Sequence, residues 1–477
     1  MSAIRLDRPD VAALRVLVVG FARTGAAVAR VLVPRGCEVL AVDDAPSVAA
    51  RRAAVDLGVE LVADPGSTEL GKLVAAADLV VVSPGVPPSH PVMTLAAPGV
   101  VVSEIELAYR LGGPPIAAVT GTNGKTTVTS LVAAMLVESG IAARAAGNIG
   151  YPLVEAMVEP GLDVVVAEVS SFQLALTSSF RPVVGAWLNF AEDHLDWHED
   201  LASYAAAKAR IWTNQEAGDV AVANAEDAEV MARAHRSRAR LVTFGLSSGD
   251  YRCVDDLLVG PDGAVLARRR DLARDLPHDR ANALAALAVA TSVGADPLAS
   301  ARVLSHHAPL PHRVELVGRV DGVDYYDDSK ATTPSAVVAA LAGFRSVVLV
   351  AGGRNKGLDL GAIPAFLRRS ATEERDRSDP AGGAGRSGLA GETQLRAVVA
   401  IGESAPEIER AFAPDWPVVV ARSMDEAVAT AARLAETGDA VLLSPGCASF
   451  DWYSSYEERG ADFARAVRAC AHGVEVR

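Results

Sequence analysis

The sequence predicts an α/β protein of three domains built mainly on parallel sheets. Short runs of β-branched residues alternate with helical patterns along almost the whole chain, the rhythm of strands covered by helices on both faces. That rhythm is interrupted twice and restarts each time. The 477 residues, at about 100–200 per domain, centre the expectation on three domains.

In the first hundred residues, Val16–Val19, Glu38–Val42 and Leu79–Val82 read as strands and Gly25–Leu32 as a helix. Ser83-Pro84-Gly85 breaks the third strand, and Gly112-Gly113-Pro114-Pro115 is the first strong punctuation, a linker signal. The pattern resumes with strand Ile116–Val119, a glycine-bearing loop, and a helix over about residues 126–138. Asp163–Ala167 and Val183–Leu188 read as strands, and the Ala- and Leu-rich stretch Ala281–Ala290 as a closely packed helix. A second boundary falls near Ala308–Pro311, after which Ser346–Ala351, Ala397–Ile401, Pro417–Val420 and Ala440–Leu443 read as short buried strands. The expected domains are 1–110, 111–309 and 310–477. Residues 371–393, rich in charge, Gly and Ser, read as a flexible surface insertion.

Half the residues are hydrophobic and 22% are charged, which excludes wholesale disorder. The net charge of −14 argues against a nucleic-acid binder or a basic membrane-surface protein. It leaves anionic ligands open, because backbone amides and local cations can hold phosphate. Cys37, Cys253, Cys447 and Cys470 lie far apart with no CxxC pair, so no zinc site or disulfide framework is expected, and a reducing, cytoplasmic setting fits. Arg5, Asp7 and Asp10 speak against a signal peptide. No run of 18 apolar residues occurs, so no membrane insertion is expected.

The strongest chemical signal is Gly121-Thr122-Asn123-Gly124-Lys125-Thr126-Thr127, directly after a strand. Glycines let backbone amides turn inward, and the helix N-terminus adds partial positive charge. Lys125 would reach the outer phosphates of ATP and the Thr126 hydroxyl would ligate magnesium. The loop is shorter than a strict P-loop, since Val119 stands where that pattern wants a glycine. Gly20-Phe21-Ala22-Arg23-Thr24-Gly25 is a degenerate dinucleotide fingerprint with Ala22 in the middle glycine's place, followed by Asp43 at a strand end. It reads equally as a diphosphate site or as a tight turn without a ligand.

Further segments set the resemblance. They are Gly147-Asn148-Ile149-Gly150, Glu168-Val169-Ser170-Ser171-Phe172-Gln173, the run Asn189 to Asp196, Ala207-Lys208-Ala209-Arg210, Leu310-Pro311-His312-Arg313, Asp327-Asp328-Ser329-Lys330-Ala331-Thr332, and Leu443 to Tyr456. With the phosphate loop, and in this order, they make the chain similar to the Mur ligases, the ATP-dependent amino-acid-adding enzymes of peptidoglycan synthesis. The resemblance runs from about residue 16 to 463. It implies a Rossmann-like N-terminal domain for a UDP sugar, a P-loop-type ATP-binding central domain and a Rossmann-like C-terminal domain for the incoming amino acid. The branch it resembles most joins D-glutamate to UDP-N-acetylmuramoyl-L-alanine through an acyl phosphate. Three domains with ligands on separate sheets imply domain motion in turnover.

The resemblance also implies site residues. Lys125, His194, Lys208 and Lys330 would be catalytic. Gly121 to Thr127, Asn282, Arg313 and Asp328 would bind ATP. Arg23, Thr24, Gly25, Asp43, Asp44, Ser83, Gly85, Asn148, Ser170 and Gln173 would bind the UDP sugar. Thr332, Lys356, Ser449, Phe450 and Tyr456 would surround D-glutamate, although Tyr456 also reads as a core-edge aromatic. Thr126, Glu168, His194 and Lys208 would hold two magnesium ions, with Lys208 carrying a carbamate that turns a cation into a carboxylate-like ligand. Plainer readings are a solvated helix lysine at Lys208 and a solvated strand-end acid at Glu168. His198 has no matched role. Asp279, Gly357 and Tyr456 depart from the family's usual asparagine, serine and phenylalanine. A monomer is expected. The alternatives are another Mur-type ligase, a folylpolyglutamate synthetase, or an ATP-switched binding module without ligase activity.

Overall fold

The computed structural model describes residues 14–195, 197–377 and 393–474. They form two compact units: one gathers the chain up to Phe190, Trp197–Arg268 and Asn282–Ser305, and the other gathers Ala191–Asp196, Arg269–Ala281 and the chain from His306.

The first unit holds two parallel sheets. Strands β1 (Arg15–Val19), β2 (Glu38–Asp43), β3 (Glu60–Ala63), β4 (Leu79–Val82) and β5 (Val101–Ser103) lie in the order β3-β2-β1-β4-β5. The order reverses beside β1, and in such sheets ligands bind at the carboxyl ends of the strands around that point. Helix α1 (Arg23–Leu32) follows β1, and α2 (Glu104–Arg110) follows β5. The second sheet has β6 (Ile116–Thr120), β7 (Ala143–Gly147), β8 (Val164–Glu168), β9 (Val184–Trp187), β10 (Val220–Asn224) and β11 (Arg240–Phe244), in the order β11-β10-β9-β6-β8-β7. Helix α3 (Lys125–Glu138) leaves β6, and α4 (Leu201–Thr213) packs across the sheet. One apolar core runs from Val16 and Val18 on the first sheet through Ile105 and Leu107 to Val165 and Trp187 on the second. β6, β8 and β9 are buried along their whole length, which is why they read as unbroken apolar runs. A small antiparallel sheet, β12 (Arg252–Val254), β13 (Leu257–Val259) and β14 (Val265–Arg268), follows.

The second unit carries β15 (Glu315–Val320), β16 (Val323–Asp327), β17 (Ser346–Gly352), β18 (Gln394–Ile401), β19 (Val418–Val420) and β20 (Ala440–Leu443), ordered β15-β16-β20-β17-β18-β19. All neighbours are parallel except the β15–β16 hairpin. Helix α5 (Pro277–Val293) begins here and continues in the first unit. Helices α6 (Ala362–Arg377) and α7 (Tyr456–Val474) belong to this unit. The two faces of its sheet bury separate cores, one around Val347, Leu349 and Ile408, the other around Val348, Val441 and Phe463.

The insertion expected at 371–393 needs a correction at its first edge. Residues 371–377 complete α6, and β18 starts at Gln394. Glu and Arg are good helix formers, so a charged run without apolar periodicity extends a helix as readily as it forms a loop. Residues 378–392 lie outside the described residues.

Candidate active site

The phosphate loop in the first unit is held by its neighbours' backbone and amides. Gly124 caps α3 at φ +84° with no side-chain cap on the helix, leaving an N-terminus suited to an anion. A Cβ at Gly124 would lie 2.5 Å from Asn282 Oδ1, so Asn282 abuts the loop. Asn189 clamps the middle of the loop: its Oδ1 accepts from Asn123 N at 2.8 Å and its Nδ2 donates to Asn123 O at 3.1 Å. Lys125 Nζ folds back to donate to Gly121 O and Thr122 O, both at 2.9 Å. Thr126 and Thr127 follow in the first turn of α3.

Glu168 ends β8, paired with Val119 of β6 just before the loop. Its carboxylate is 2% exposed, Oε1 accepts from Asn148 Nδ2 at 2.8 Å, and buried Oε2 has no hydrogen-bond partner. A buried carboxylate oxygen without a partner is costly, and a hard cation would satisfy it. The residues therefore fit magnesium, and the solvated-acid reading of Glu168 does not hold. Lys208 is no solvated lysine either. It is 1% exposed on α4, donates to Gly121 O at 2.8 Å, and its Nζ stands 4.6 Å from the Tyr204 ring centroid.

A cavity of about 600 Å³ opens at the carboxyl ends of β1, β2 and β4. Arg23, Thr24, Asp43, Asp44, Ser83, Gly85, Asn148 and Gln173 all line it. Two other residues expected to bind the UDP sugar, Gly25 and Ser170, do not. Gly25 is packed inside α1, where a Cβ would lie 2.3 Å from Gly20 O. Ser170 caps the short helix Ser171–Ala175 in a reciprocal capping box with Gln173. Asp43 shapes the degenerate glycine turn: its carboxylate accepts from Phe21 N at 2.7 Å and Ala45 N at 3.0 Å. Asn148 joins the two halves of the first unit's chemistry, since it lines the cavity and also donates to Glu168.

Two buried acids of α2 fasten the first sheet's lobe to the second's. Glu104 Oε1 accepts from Val154 N at 2.6 Å, and burial pushes its carboxyl up to about 7 despite that bond. Glu106 accepts from the backbone N–H groups of Ser178, Ser179 and Phe180, from both serine hydroxyls, and from Arg110. Burial raises its pKa, but the bonds from Ser179 and Ser178 and the Arg110 charge outweigh it, and the net shift is downward.

In the second unit, the loop after β16 and the loop after β20 are stitched together. Gly446 N donates to Ala331 O at 2.9 Å, next to half-buried Thr332. Arg459, 1% exposed, donates to Ser329 Oγ and O and to the carbonyls of Cys447 and Ala448. Burial lowers its pKa to about 10. Ser449 is buried beside this clasp, whereas Phe450 and Lys356 are exposed. Lys330 Nζ stands 3.7 Å from the Tyr456 ring centroid, so Tyr456 seats a lysine instead of filling core. Gly357 takes φ +81°, a conformation a serine would adopt only under strain. Asp328 is turned inward: Oδ2 accepts from Ser444 Oγ at 2.8 Å and Oδ1 from Val314 N at 3.3 Å, and burial pushes it up to about 7. His194, at φ +58°, has Nε2 3.2 Å from Asp193 Oδ2.

Asp279 has a local explanation. It grips Arg274 through Oδ2 at 2.6 Å and Oδ1 at 2.7 Å, and Arg274 Nη1 donates to the carbonyls of Arg313 and Val314. An asparagine could accept only one of the two bonds from the guanidinium. The carboxylate therefore supports the backbone of Arg313.

Three family matches cover the chain in order: "Mur ligase MurD-like, N-terminal domain" over 14–104, "Mur ligase middle domain" over 119–290, and "Mur ligase, glutamate ligase domain" over 312–447. A protein of Frankia casuarinae named UDP-N-acetylmuramoylalanine--D-glutamate ligase is 43% identical over 96% of this chain and 94% of its own length. The chain belongs to the Mur ligase family. A protein of the same name from Thermobifida fusca is 41% identical over 96% of this chain and 98% of its own. Among solved structures, UDP-N-acetylmuramate-alanine ligase from Thermotoga maritima superposes with TM-score 0.58 at 18% identity, over 96% of this chain and all of the other. A pseudomurein peptide ligase from Methanothermus fervidus gives 0.56 at 16%, over 96% and 99%. These two show that the Mur ligase fold is shared. No helix among the described residues is long and apolar enough to cross a membrane.

Within this family fold, several residues with structural claims on the site escaped the sequence reading. Glu104, Glu106 and Arg459 are buried charges and Arg274 is a half-buried one, and little in the local sequence marks them as such. His90 lines the cavity with Nε2 3.4 Å from Asp44. Only the spacing Glu104-x-Glu106 carried a hint, because the two acids point to opposite sides of one helix turn.

Proposed function

We propose that this Mur ligase adds D-glutamate to UDP-N-acetylmuramoyl-L-alanine, using ATP, in peptidoglycan precursor synthesis in the cytoplasm. The observation that carries the reading is Asn148, which lines the nucleotide-sugar cavity and grips Glu168 beside the phosphate loop. A long substrate anchored by UDP in the cavity has its far end led toward the ATP phosphates by that residue. Relatives named for this reaction match over nearly the whole chain, and the matched N-terminal domain disfavours a folylpolyglutamate synthetase.

The reaction transfers the γ-phosphoryl group of ATP to the terminal carboxylate of the alanyl donor, and ADP leaves. The amine of D-glutamate then attacks the acyl carbon, loses a proton, and phosphate leaves with the bond to oxygen. Anions converge on one place, so cations and oriented amides dominate catalysis. Lys125 and the amides of Gly121 to Thr127 hold the phosphates. Thr126, Glu168, His194 and a carbamylated Lys208 would hold magnesium, two ions in all, which would supply charge neutralisation. Arg23, Thr24, Asp43, Asp44, Ser83, Gly85, Asn148 and Gln173 hold the UDP sugar. Asn282 and Arg313 serve the nucleoside of ATP, and Asp328, which accepts from Ser444 Oγ and Val314 N, shapes the segment that bears Arg313. Lys330, Thr332, Lys356, Ser449, Phe450 and Tyr456 receive D-glutamate. The protein works as a monomer.

Phosphate release and amide product, measured over a panel of UDP-muramoyl acceptors and amino acids, test this. Turnover with UDP-N-acetylmuramoyl-L-alanine and D-glutamate alone is expected. Preferred use of another pair, or nucleotide binding without product, overturns it.

A further inference from the structure

His198 has no place in the machinery above, yet it stands at the centre of an aromatic cluster in the first unit. It is 5% exposed, and its Nε2 lies 3.0 Å from the Oγ of Ser171, itself 2% exposed. Ser171 opens the short helix three residues after Glu168. The His198 ring stacks on Phe172 at 5.8 Å and 27°, meets Trp197 edge-on at 4.6 Å, and leans on Tyr204 at 5.1 Å. Tyr204 is wholly buried, Phe190 covers it at 5.2 Å, and its hydroxyl lies 3.3 Å from Thr122 Oγ1 of the phosphate loop. The same ring carries Lys208 Nζ at 4.6 Å.

We propose that His198 is a positioning residue for the ligase reaction: pinned to Ser171, it fixes the plane of Tyr204 and thereby the placement of Lys208 and Thr122 at the phosphate loop. The inference rests on the proposed function only for what Lys208 and the loop do. Ring contacts of this geometry favour particular orientations beyond the area they bury. One rotamer change at Tyr204 would shift both the lysine and the loop threonine, and displacement of a positioning group by about 1 Å can cost around 100-fold in rate. The bond to Ser171 ties this plate to the strand end that carries Glu168. The two sides of the magnesium-binding region are therefore registered by one histidine.

The test compares His198→Phe, which keeps a ring and loses the bond, with Ser171→Ala and with the double variant. A second variant, His198→Gln, keeps a polar group able to reach Ser171 and guards against a fold that does not tolerate the first. Each single variant should lower kcat about tenfold, with KM for the nucleotide sugar within about twofold. The double variant should fall no further, because both changes break one link. Calorimetry should show ADP binding about threefold or more weaker in His198→Phe, a readout independent of turnover. His198→Gln should recover part of the lost kcat. An unchanged kcat with a lower melting temperature, or fully additive losses in the double variant, would overturn the assignment. The wild-type enzyme and Lys208→Ala run alongside: absence of product from the wild type condemns the proposed function, whereas normal product with unaffected His198 variants condemns only the role of His198.

Discussion

Glu104→Gln isolates one buried carboxyl. Glu104 is 1% exposed and reaches from α2 to the amide of Val154. Burial lifts its pKa from 4.5 to about 7, with the nearby Glu155 charge pushing the same way. The native state thus holds a proton that the unfolded chain releases, and stability falls as pH rises through that window. The stabilisation is fully present below 4.5, declines between 4.5 and 7, and is flat above. At about 1.4 kcal/mol per unit, a shift of some 2.5 units amounts to roughly 3 kcal/mol as an upper figure. Glutamine keeps an oxygen for Val154 N and removes the titration. Its amide can face the cavity that Glu104 lines. The variant should match the wild type near pH 4.5 and exceed it by up to about 3 kcal/mol at pH 8. Melting curves of both proteins from pH 4.5 to 8, in buffers of constant ionic strength, read this difference directly. A gap independent of pH, or a variant less stable throughout, would show that Glu104 is ionised in the folded protein and that the burial reasoning is wrong.

Glu106, two residues on, should behave in the opposite sense. Its pKa is held below the usual carboxylate range, so its contribution is present above about 4.5 and lost as pH falls through the folded value. Glu106→Ala should cost about 3–5 kcal/mol at pH 7, because it strands Arg110 and three amides, and the deficit should shrink in acid melts. Gly124→Ala places a Cβ 2.5 Å from Asn282 Oδ1 at φ +84°. It should cut kcat/KM for ATP about tenfold or more while circular dichroism stays native. Glu168→Gln should raise the magnesium concentration for half-maximal activity about tenfold or more, read by titrating phosphate release; an unchanged requirement would remove Glu168 from the metal site.

The strands most easily read from sequence were those buried on both faces. Leu79–Val82 and Ala440–Leu443 match the structure residue for residue, since a fully covered strand must be apolar throughout. Two edge strands, β3 and β15, were missed for the complementary reason. β3 and β15 are both partly exposed along most of their length, so neither leaves a buried apolar run. The phosphate loop was legible because a positive-φ glycine, a lysine and a helix start occupy consecutive positions. The inward turn of Asp328 was not, since it depends on Ser444, 116 residues away. Residues 371–377 misled because charge without periodicity says only that a face is solvated, not that the backbone is irregular.

Glu106 and Arg459 share a logic that sequence patterns do not express. Each is a buried charge satisfied largely by loop backbone: Glu106 by the amides of residues 178–180, Arg459 by the carbonyls of the nearby Cys447 and Ala448 and of the distant Ser329. An apolar contact would tolerate sliding of such a loop, because dispersion is weakly directional. A carboxylate collecting three successive N–H groups, or a planar guanidinium spread over three carbonyls, allows one placement. The desolvation cost of each charge is offset only when the whole loop is in register. In this Mur ligase those charges sit beside the residues proposed for ligand binding. One fastens the lobe carrying the cavity at the ends of β1, β2 and β4 to the lobe carrying the glycine loop, and the other sets the two loops that bear Lys330 and Ser449. The stability of the fold and the geometry of its ligand-bearing loops thus rest on the same few buried ions.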